Sequence, residues 1–313
     1  MTFIFNLLND YVLSPILRVI MTVCGNNFAI AIFLFTLVIN LVLIPLTIKS
    51  QKSSVQQARI KPKLDLLKEE CGDDKQKYSL KMQELYQKEN VSMAGGCLPM
   101  ILRLVILMSI YYLVLSPISY LTPVEETQIT AATDAIVSEE ESKASRGKEL
   151  AFISEVTKAD FKSDNADVLA VKEEVDKIDF HFLGIDLTET PKFTFNLANA
   201  NINWIIPFLS FAAAMLSSLI SMALQKSVNP DAPSMKGMML TMPLISLFIA
   251  FSAPCGLGYY WACSSLISGG LQAGVQYFYG PNRMLAKSRA KSIVKAYELE
   301  KKTINAPRAN VEE

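Results

Sequence analysis

Histidine is almost absent from this sequence, and no cysteine pattern takes its place. His181 is the one histidine in 313 residues, and it lies in a polar segment. The five cysteines form no CxxC pair and no spacing typical of metal ligands. A histidine-based metal site and a histidine-dependent catalytic triad are therefore disfavoured. We expect no metal and no cofactor.

Three further patterns are missing. The sequence has no glycine-rich loop of the kind that cradles phosphates, which argues against an ATP-driven pump. No histidine or carboxylate falls inside the long apolar runs, so an enzyme working within the membrane would lack its nucleophile and base. The N-terminus has neither the basic start nor the unbroken apolar core of a secretory signal. We therefore expect a protein that is not an enzyme.

Long apolar runs dominate what is present. Hydrophobic residues make up 51% of the chain, and several runs approach or exceed the roughly 20 residues that cross a bilayer as a helix. These runs predict an all-α polytopic membrane protein with five transmembrane helices, a cytoplasmic helical hairpin and an extended extracytoplasmic loop. The first span is placed at 28–49, the second at 97–121, and spans three to five within 201–280.

Charge is distributed unevenly around these runs and predicts their orientation. Basic residues follow the first span at once, at Lys49, Lys52 and Arg59, and the tail 281–313 is also basic. Residues 122–200 carry 17 acidic and 8 basic side chains, a net charge of −9. The positive-inside rule then puts the N-terminus outside the cell membrane and the C-terminal tail in the cytoplasm. Residues 122–200 become an acidic extracytoplasmic loop.

Two segments outside the spans have a helical pattern. Residues 1–27 predict an amphipathic helix lying in the membrane interface, from the helical spacing of Phe3, Leu7, Tyr11 and Ser14. Within that segment the residues before Cys24 loosely resemble a lipoprotein box, but a valine stands where a small residue is expected.

Residues 50–96 predict a cytoplasmic helical hairpin. Two apolar stripes at helical spacing flank a turn at 72–74, and they are Ile60, Leu64 and Leu67, then Tyr78, Met82 and Leu85. Two such stripes facing each other make an antiparallel pair of helices. The alternative is a solvated spacer.

Arg103 is a permanent charge inside the second span. A guanidinium keeps its proton in proteins, and a charge at such a depth costs from about 3 to about 10 kcal/mol or more. That cost is acceptable when the side chain faces water or a polar cavity. Asn40 lies in the first span, and both residues fall about 9–14 Å below the inner surface at ~1.5 Å per residue. We therefore predict a polar pocket open toward the cytoplasm. Its candidate residues are Arg103, Asn40, Gln272, Thr36 and Ser265.

Four motifs then occur in a recognisable order. The first span ends in LVLIPL at 41–46, and GCLP at 96–99 opens the second. FLGIDL at 182–187 precedes the third span, and PCGLGYYW at 254–261 opens the fifth. Together they resemble the YidC/Oxa/Alb family of membrane protein insertases, of the bacterial type with a five-span core.

The chain also departs from the family pattern at the groove. The family usually carries its groove arginine in the first span, where this sequence has Asn40. In the second span it usually has a glutamine where this sequence has Arg103, and in the fifth an asparagine where this one has Ser265. The resemblance therefore implies one cation and one amide at the same depth, on exchanged helices.

The resemblance implies an insertase that works as a chaperone, without a cofactor. Its substrates are nascent membrane proteins, whose short polar segments pass through a hydrophilic groove open to the cytoplasm while apolar segments leave into lipid. Basic C-terminal tails in relatives suggest a ribosome partner, although the tail 281–313 could equally bind anionic lipid. A Sec translocon is a further candidate partner. The alternative function is a small anion channel or transporter with Arg103 as its selectivity charge.

Overall fold

The described part of the chain is mostly helical. The computed structural model describes residues 7–89, 91, 98–144, 147–191, 193, 201–228 and 236–279, with eight separate residues of the tail between 286 and 301. A π-helical turn, Asn9–Leu13, precedes the first α-helix, and a 3₁₀ turn, Ile202–Trp204, precedes the eleventh. The α-helices are α1 Ser14–Val23, α2 Phe28–Val42, α3 Ile44–Cys71, α4 Lys75–Lys88, α5 Leu98–Leu115, α6 Pro117–Leu121, α7 Glu126–Ile136, α8 Glu139–Ala144, α9 Lys148–Val156, α10 Ala166–Val175, α11 Ile205–Val228, α12 Lys236–Ala250 and α13 Cys255–Tyr279.

Helix α1 packs on the rest of the protein through one apolar stripe. Leu13, Leu17 and Met21 are buried in the main hydrophobic core, whereas Leu7 and Tyr11 are exposed. Of the residues whose spacing suggested an interfacial helix, Leu7 and Tyr11 therefore lie on the exposed side, whereas Ser14 is buried. Phe3, the first member of that pattern, lies outside the described residues.

Proline breaks the first long apolar helix. Helices α2 and α3 meet at Leu43 and are bent by 49°. Pro45 sits in the first turn of α3. Its ring removes one backbone donor and crowds the carbonyl four residues earlier, which ends the preceding helix. The bend turns the chain from the apolar α2 into the charged α3.

Among the described residues, Ile202–Ala223 is long and apolar enough to cross a membrane. The bent pair Phe28–Val42 and Ile44–Ser50 passes the same test as a unit, and Leu104–Leu115 is a shorter apolar helix. The sequence predicts five spans, so the helical class is confirmed while the number of spans stays a prediction.

Helices α3 and α4 pack against each other across the turn at Gly72. Gly72 has a φ of +55°, and the Asp74 carboxylate caps α4 by accepting from two backbone N–H groups. Arg59 and Lys63 of α3 both pair with Glu89, just after α4. The Lys63 hydrogen bond is the main reason that the pKa of Glu89 lies below its usual value. These side chains remain partly exposed, so each ion pair contributes about 0–1 kcal/mol.

Residues 122–191 contain a packed helical unit. Helices α7, α9 and α10 pack together and bury Ile129, Phe152 and Val168. A two-stranded antiparallel hairpin follows, with β1 His181–Phe182 and β2 Ile185–Asp186. The buried residues of this unit belong to the same hydrophobic core as α1, α2, α5 and α13.

Backbone hydrogen bonds tie this unit to the starts of two long helices. The N–H of Phe28 donates to the Asp179 carbonyl (2.9 Å), and the Asn27 side chain donates to the Asp179 carboxylate (2.8 Å). At α13, the N–H of Gly256 donates to the Leu187 carbonyl at 2.7 Å. A Cβ at position 256 would lie 3.1 Å from that carbonyl oxygen, so glycine permits the close approach.

Candidate functional site: a serine-lined cavity between the apolar helices

A cavity of about 630 Å³ lies among α2, α5, α11, α12 and α13. In its described part, the wall combines apolar side chains with polar ones that carry no charge. The polar members are Asn40 and seven serines, at 210, 217, 218, 246, 264, 265 and 268. Hydroxyl and amide groups give this cavity a hydrogen-bonding surface that lipid-facing helices otherwise lack.

Asn40 joins two helices at the cavity wall. Its amide nitrogen donates to the Thr36 carbonyl in the same helix (2.8 Å). Its amide oxygen accepts from the Ser268 hydroxyl of α13, also at 2.8 Å. Asn40 therefore stays half-buried with both ends of its side chain engaged, and it holds α2 against α13 at the level of the cavity.

The other predicted groove residues separate into two groups. Ser265 lines the cavity with Asn40. The Thr36 hydroxyl instead donates to the Ile32 carbonyl of its own helix (2.6 Å), and Thr36 is buried. The Gln272 amide oxygen accepts from the Ser221 hydroxyl at 3.0 Å, which joins α13 to α11. Neither Thr36 nor Gln272 is among the residues that line the cavity.

Arg103 belongs to α5, three and four residues before Ile106 and Leu107, which line the cavity. Its side chain lies outside the described residues. The location of the predicted charge relative to the cavity therefore stays a prediction.

Serines were the feature that sequence reasoning undervalued. An isolated serine in an apolar helix usually bonds back to its own backbone, so Ser217, Ser218 and Ser268 do not stand out one by one as site residues. The useful signal was spacing, since Ser264, Ser265 and Ser268 fall on one helical face. On α11, Ser210, Ser217 and Ser218 share a face in the same way.

A second, smaller cavity adjoins the first. Its volume is about 300 Å³, and it lies toward the turn between α12 and α13. The two cavities share Leu107, Ile249 and Trp261 in their walls. These three apolar side chains separate the serine-lined space from the end of the bundle that carries residues 122–191.

A buried carboxylate holds the short helix α6 after the end of α5. Glu149 of α9 accepts from the backbone N–H groups of Ile118 (2.7 Å) and Ser119 (3.0 Å), and from the Ser119 hydroxyl. Burial raises the pKa of the Glu149 carboxyl, and the three hydrogen bonds offset part of that rise. Arg18 donates to the carbonyls of Ser119 and Tyr120 from the opposite side. The short helix α6 is thus held from both ends.

Within the described residues, no group of three or more His, Cys, Asp or Glu side chains is arranged to hold a metal ion. The cavity wall likewise shows no nucleophile beside a base in its described part. The hydroxyl and amide groups of the wall can form hydrogen bonds with polar groups.

Comparison with known proteins identifies relatives along most of the chain. A protein of Fusobacterium nucleatum named membrane protein insertase YidC is 26% identical over 269 residues, covering 86% of this chain and 94% of that protein. Proteins of the same name are 28% identical over 243 residues in Nitratidesulfovibrio vulgaris and 41% identical over 86 residues in Anaeromyxobacter dehalogenans. The aligned part is 33% and 16% of those two longer proteins.

The comparison with protein families matches most of the chain. The model of the 60Kd inner membrane protein family matches residues 19–281, from α1 to just past the end of α13. The match includes the cavity, the α3–α4 pair and the helical unit at 122–191. This chain belongs to the 60Kd inner membrane protein family.

Proposed function

We infer that this chain is a membrane protein insertase of the cell membrane, and that it is not an enzyme. Relatives with that name align over most of the chain, and the family match spans its helical core. The structural observation that best supports the function is the serine-lined cavity of about 630 Å³ between apolar helices. A polar hollow in such surroundings lowers the cost of moving a polar peptide segment into the membrane.

The mechanism we propose is passage through this hollow, with release to the side. Short polar segments of nascent membrane proteins exchange water for the hydroxyl and amide groups of the wall. Apolar segments then move into lipid, where burial of their surface is favourable. Leu244 and Phe248 of α12 are exposed, so an apolar surface for lipid or client lies beside the cavity. Client proteins are the partners that this mechanism requires.

Arg103 is the proposed electrostatic element of the groove. Helical spacing puts position 103 on the same face of α5 as Ile106 and Leu107, which line the cavity. A cation in surroundings of low dielectric attracts a carboxylate several times more strongly than it does in water. We propose that Arg103 recruits acidic translocated segments and that Asn40 supplies the amide at the same level.

The orientation and the further partners are also part of the proposal. The basic α3–α4 hairpin and the tail 281–313 are placed in the cytoplasm, and residues 122–200 outside the cell. The basic charge of the tail suits ribosomal RNA or anionic lipid. A Sec translocon could act together with the insertase. Most of the tail lies outside the described residues.

An insertion assay with paired variants tests the electrostatic element. Arg103→Ala should lower the insertion of clients with acidic translocated segments roughly tenfold, which corresponds to about 1.4 kcal/mol of lost attraction. Clients with neutral segments should change little. Lys68→Ala, at an exposed site on α3, is the matched loss of one positive charge and should insert both client types normally.

A second experiment exchanges the charge at position 103 and the amide at position 40 between the two helices. Asn40→Arg combined with Arg103→Gln restores the usual family placement, so it should recover insertion of the acidic clients. Normal insertion of acidic clients by Arg103→Ala would reject the electrostatic element. Ion conductance by purified protein in liposomes would instead favour the channel alternative.

A further inference from the structure

One apolar residue of the helical unit has an exposed side chain and a strained backbone conformation. Leu183 is 83% exposed, the largest value among the exposed large hydrophobic residues of the described chain. It also has a φ of +51°. That left-handed conformation brings Cβ close to the backbone and is normally left to Gly, Asn or Asp.

The backbone strain comes from a tight turn. His181 pairs with Asp186 and Phe182 with Ile185, so the loop between the strands is the two-residue segment Leu183-Gly184. Both loop residues have positive φ, +51° and +82°, as in the hairpin turns that match the strand twist. The sequence usually chosen for such a turn is Asn-Gly. Here a leucine occupies the asparagine position. Its strained backbone raises the free energy of the folded protein, and its exposed side chain gains no burial energy that would offset this strain.

The hairpin is held at a defined height on the bundle. Its first strand follows Asp179, whose backbone pairs with Asn26 and Phe28 at the start of α2. Just after its second strand, the Leu187 carbonyl accepts from Gly256 at the start of α13. Phe182 also packs against Tyr259 with ring centroids 4.7 Å apart. The tip is therefore fixed at the ends of two long helices.

The surface of α2 next to its hydrogen bonds with the hairpin is apolar and exposed. Ile30 and Phe33, in the first two turns of α2, are 51% and 42% exposed. In the proposed orientation these residues face the hydrocarbon of the outer leaflet, and the α2 end that carries the hairpin lies at its boundary. An apolar side chain at that height finds in lipid the burial that the protein does not supply.

We propose that Leu183 inserts into the outer leaflet, at the boundary between headgroups and acyl chains, and anchors the helical unit 122–191 to the membrane surface. The occupant of this surface is lipid, because the hairpin is hydrogen-bonded to the start of α2, whose exposed residues Ile30 and Phe33 face lipid in the proposed orientation. The proposal rests on the proposed orientation and on no other part of the insertase mechanism. It assigns Leu183 to membrane contact instead of folding.

Fluorescence quenching in reconstituted protein tests this contact. The full chain is placed in lipid nanodiscs with a genetically encoded, environment-sensitive fluorescent amino acid in place of Leu183. The control carries the same probe in place of Leu169, which is 48% exposed on α10. Nitroxide lipids labelled near the headgroup should quench the probe at 183 at least twofold more than the probe at 169. Aqueous iodide should show the reverse order.

Equal iodide quenching at both positions would overturn the anchor, and would point to a protein partner or to no partner. Leu183→Asn adds a second readout, because asparagine tolerates the left-handed conformation. Its melting temperature in detergent should equal or exceed that of the parent, and a lower one would show that Leu183 serves the fold. The same samples are assayed for client insertion. Active protein with an iodide-accessible tip rejects the anchor alone, whereas inactive protein with a lipid-shielded tip rejects the insertase function alone.

Discussion

Glu149 shows how a single residue links the helical unit 122–191 to α6, the short helix that follows α5. Its carboxylate accepts from Ile118, Ser119 and the Ser119 hydroxyl at the start of α6. Glu149→Ala would leave two N–H groups without their acceptor in a buried place, and we expect a loss of about 1–3 kcal/mol in the free energy of unfolding. Glu149→Gln keeps an amide oxygen there and should cost less. Thermal unfolding in detergent measures both.

The raised pKa of Glu149 makes this contribution depend on pH in a definite direction. A carboxyl with a higher pKa in the folded state binds its proton more tightly there, so folding is favoured as pH falls through the window above 4.5. Between about pH 8 and about pH 5 the parent should gain stability relative to Glu149→Gln. Subtracting the free energy of unfolding of Glu149→Gln from that of the parent at each pH removes the contribution of other titrating groups. A parent that loses stability relative to Glu149→Gln on acidification would show that hydrogen bonding outweighs burial.

Close contact between helices α13 and α11 depends on a glycine at position 258. A Cβ at position 258 would lie 2.8 Å from Cγ2 of Ile206, which is fully buried. Gly258→Ala should therefore destabilise the protein by about 1–3 kcal/mol through overpacking, despite the better helix propensity of alanine. Gly270 lies on the same helix, and a Cβ there meets nothing within 4 Å. Gly270→Ala should gain up to about 1 kcal/mol.

Denaturation in detergent compares the two glycine variants directly. Both exchange one glycine for alanine in α13, so differences in the unfolded chain are matched. The expected order of stability is Gly270→Ala, parent, Gly258→Ala. Equal stability of the two variants would mean that α11 and α13 separate without cost, and the tight α11–α13 contact would then be wrong.

In the molecule as a whole, the helical unit 122–191 and the long apolar helices share one core. Ile129, Phe152 and Val168 belong to the same buried cluster as Leu113 of α5 and Leu257 of α13. Deleting 125–175 should therefore lower the yield of folded protein and its melting temperature, although the acidic composition suggests a separable insertion. Size-exclusion chromatography and thermal unfolding of detergent extracts provide the measurement.

Two point variants separate a packing effect from loss of the chain itself. Phe152 is fully buried, and Phe152→Ala should cost about 3–5 kcal/mol in the free energy of unfolding. Leu169→Ala, at a site 48% exposed on the same unit, should change stability by less than about 1 kcal/mol. If the deletion and Phe152→Ala left the membrane helices equally stable, the two parts would be independent domains.

The sequence alone determined the helical membrane class and the family of the protein, and its motifs are the basis on which the function is inferred. Apolar runs and their breaks depend on local composition, so a helical membrane protein could be predicted residue by residue. The motifs at 41–46, 96–99, 182–187 and 254–261 identified the insertase family, and the comparisons confirm it. Polar residues inside apolar runs also marked Asn40 and Ser265, because each is costly in lipid wherever the chain folds.

Tertiary structure decided which of these polar residues meet. Thr36 and Gln272 have the same local signal as Asn40, yet one bonds to its own helix and the other to Ser221. The packing within 122–191 was also not predictable from the sequence, since α7, α9 and α10 are separated along the chain and become buried where they meet. The hydrogen bonds of Glu149 to α6 and the strained backbone at Leu183 also depend on tertiary structure. Local energies set what each segment is, and packing between distant segments sets what each side chain does.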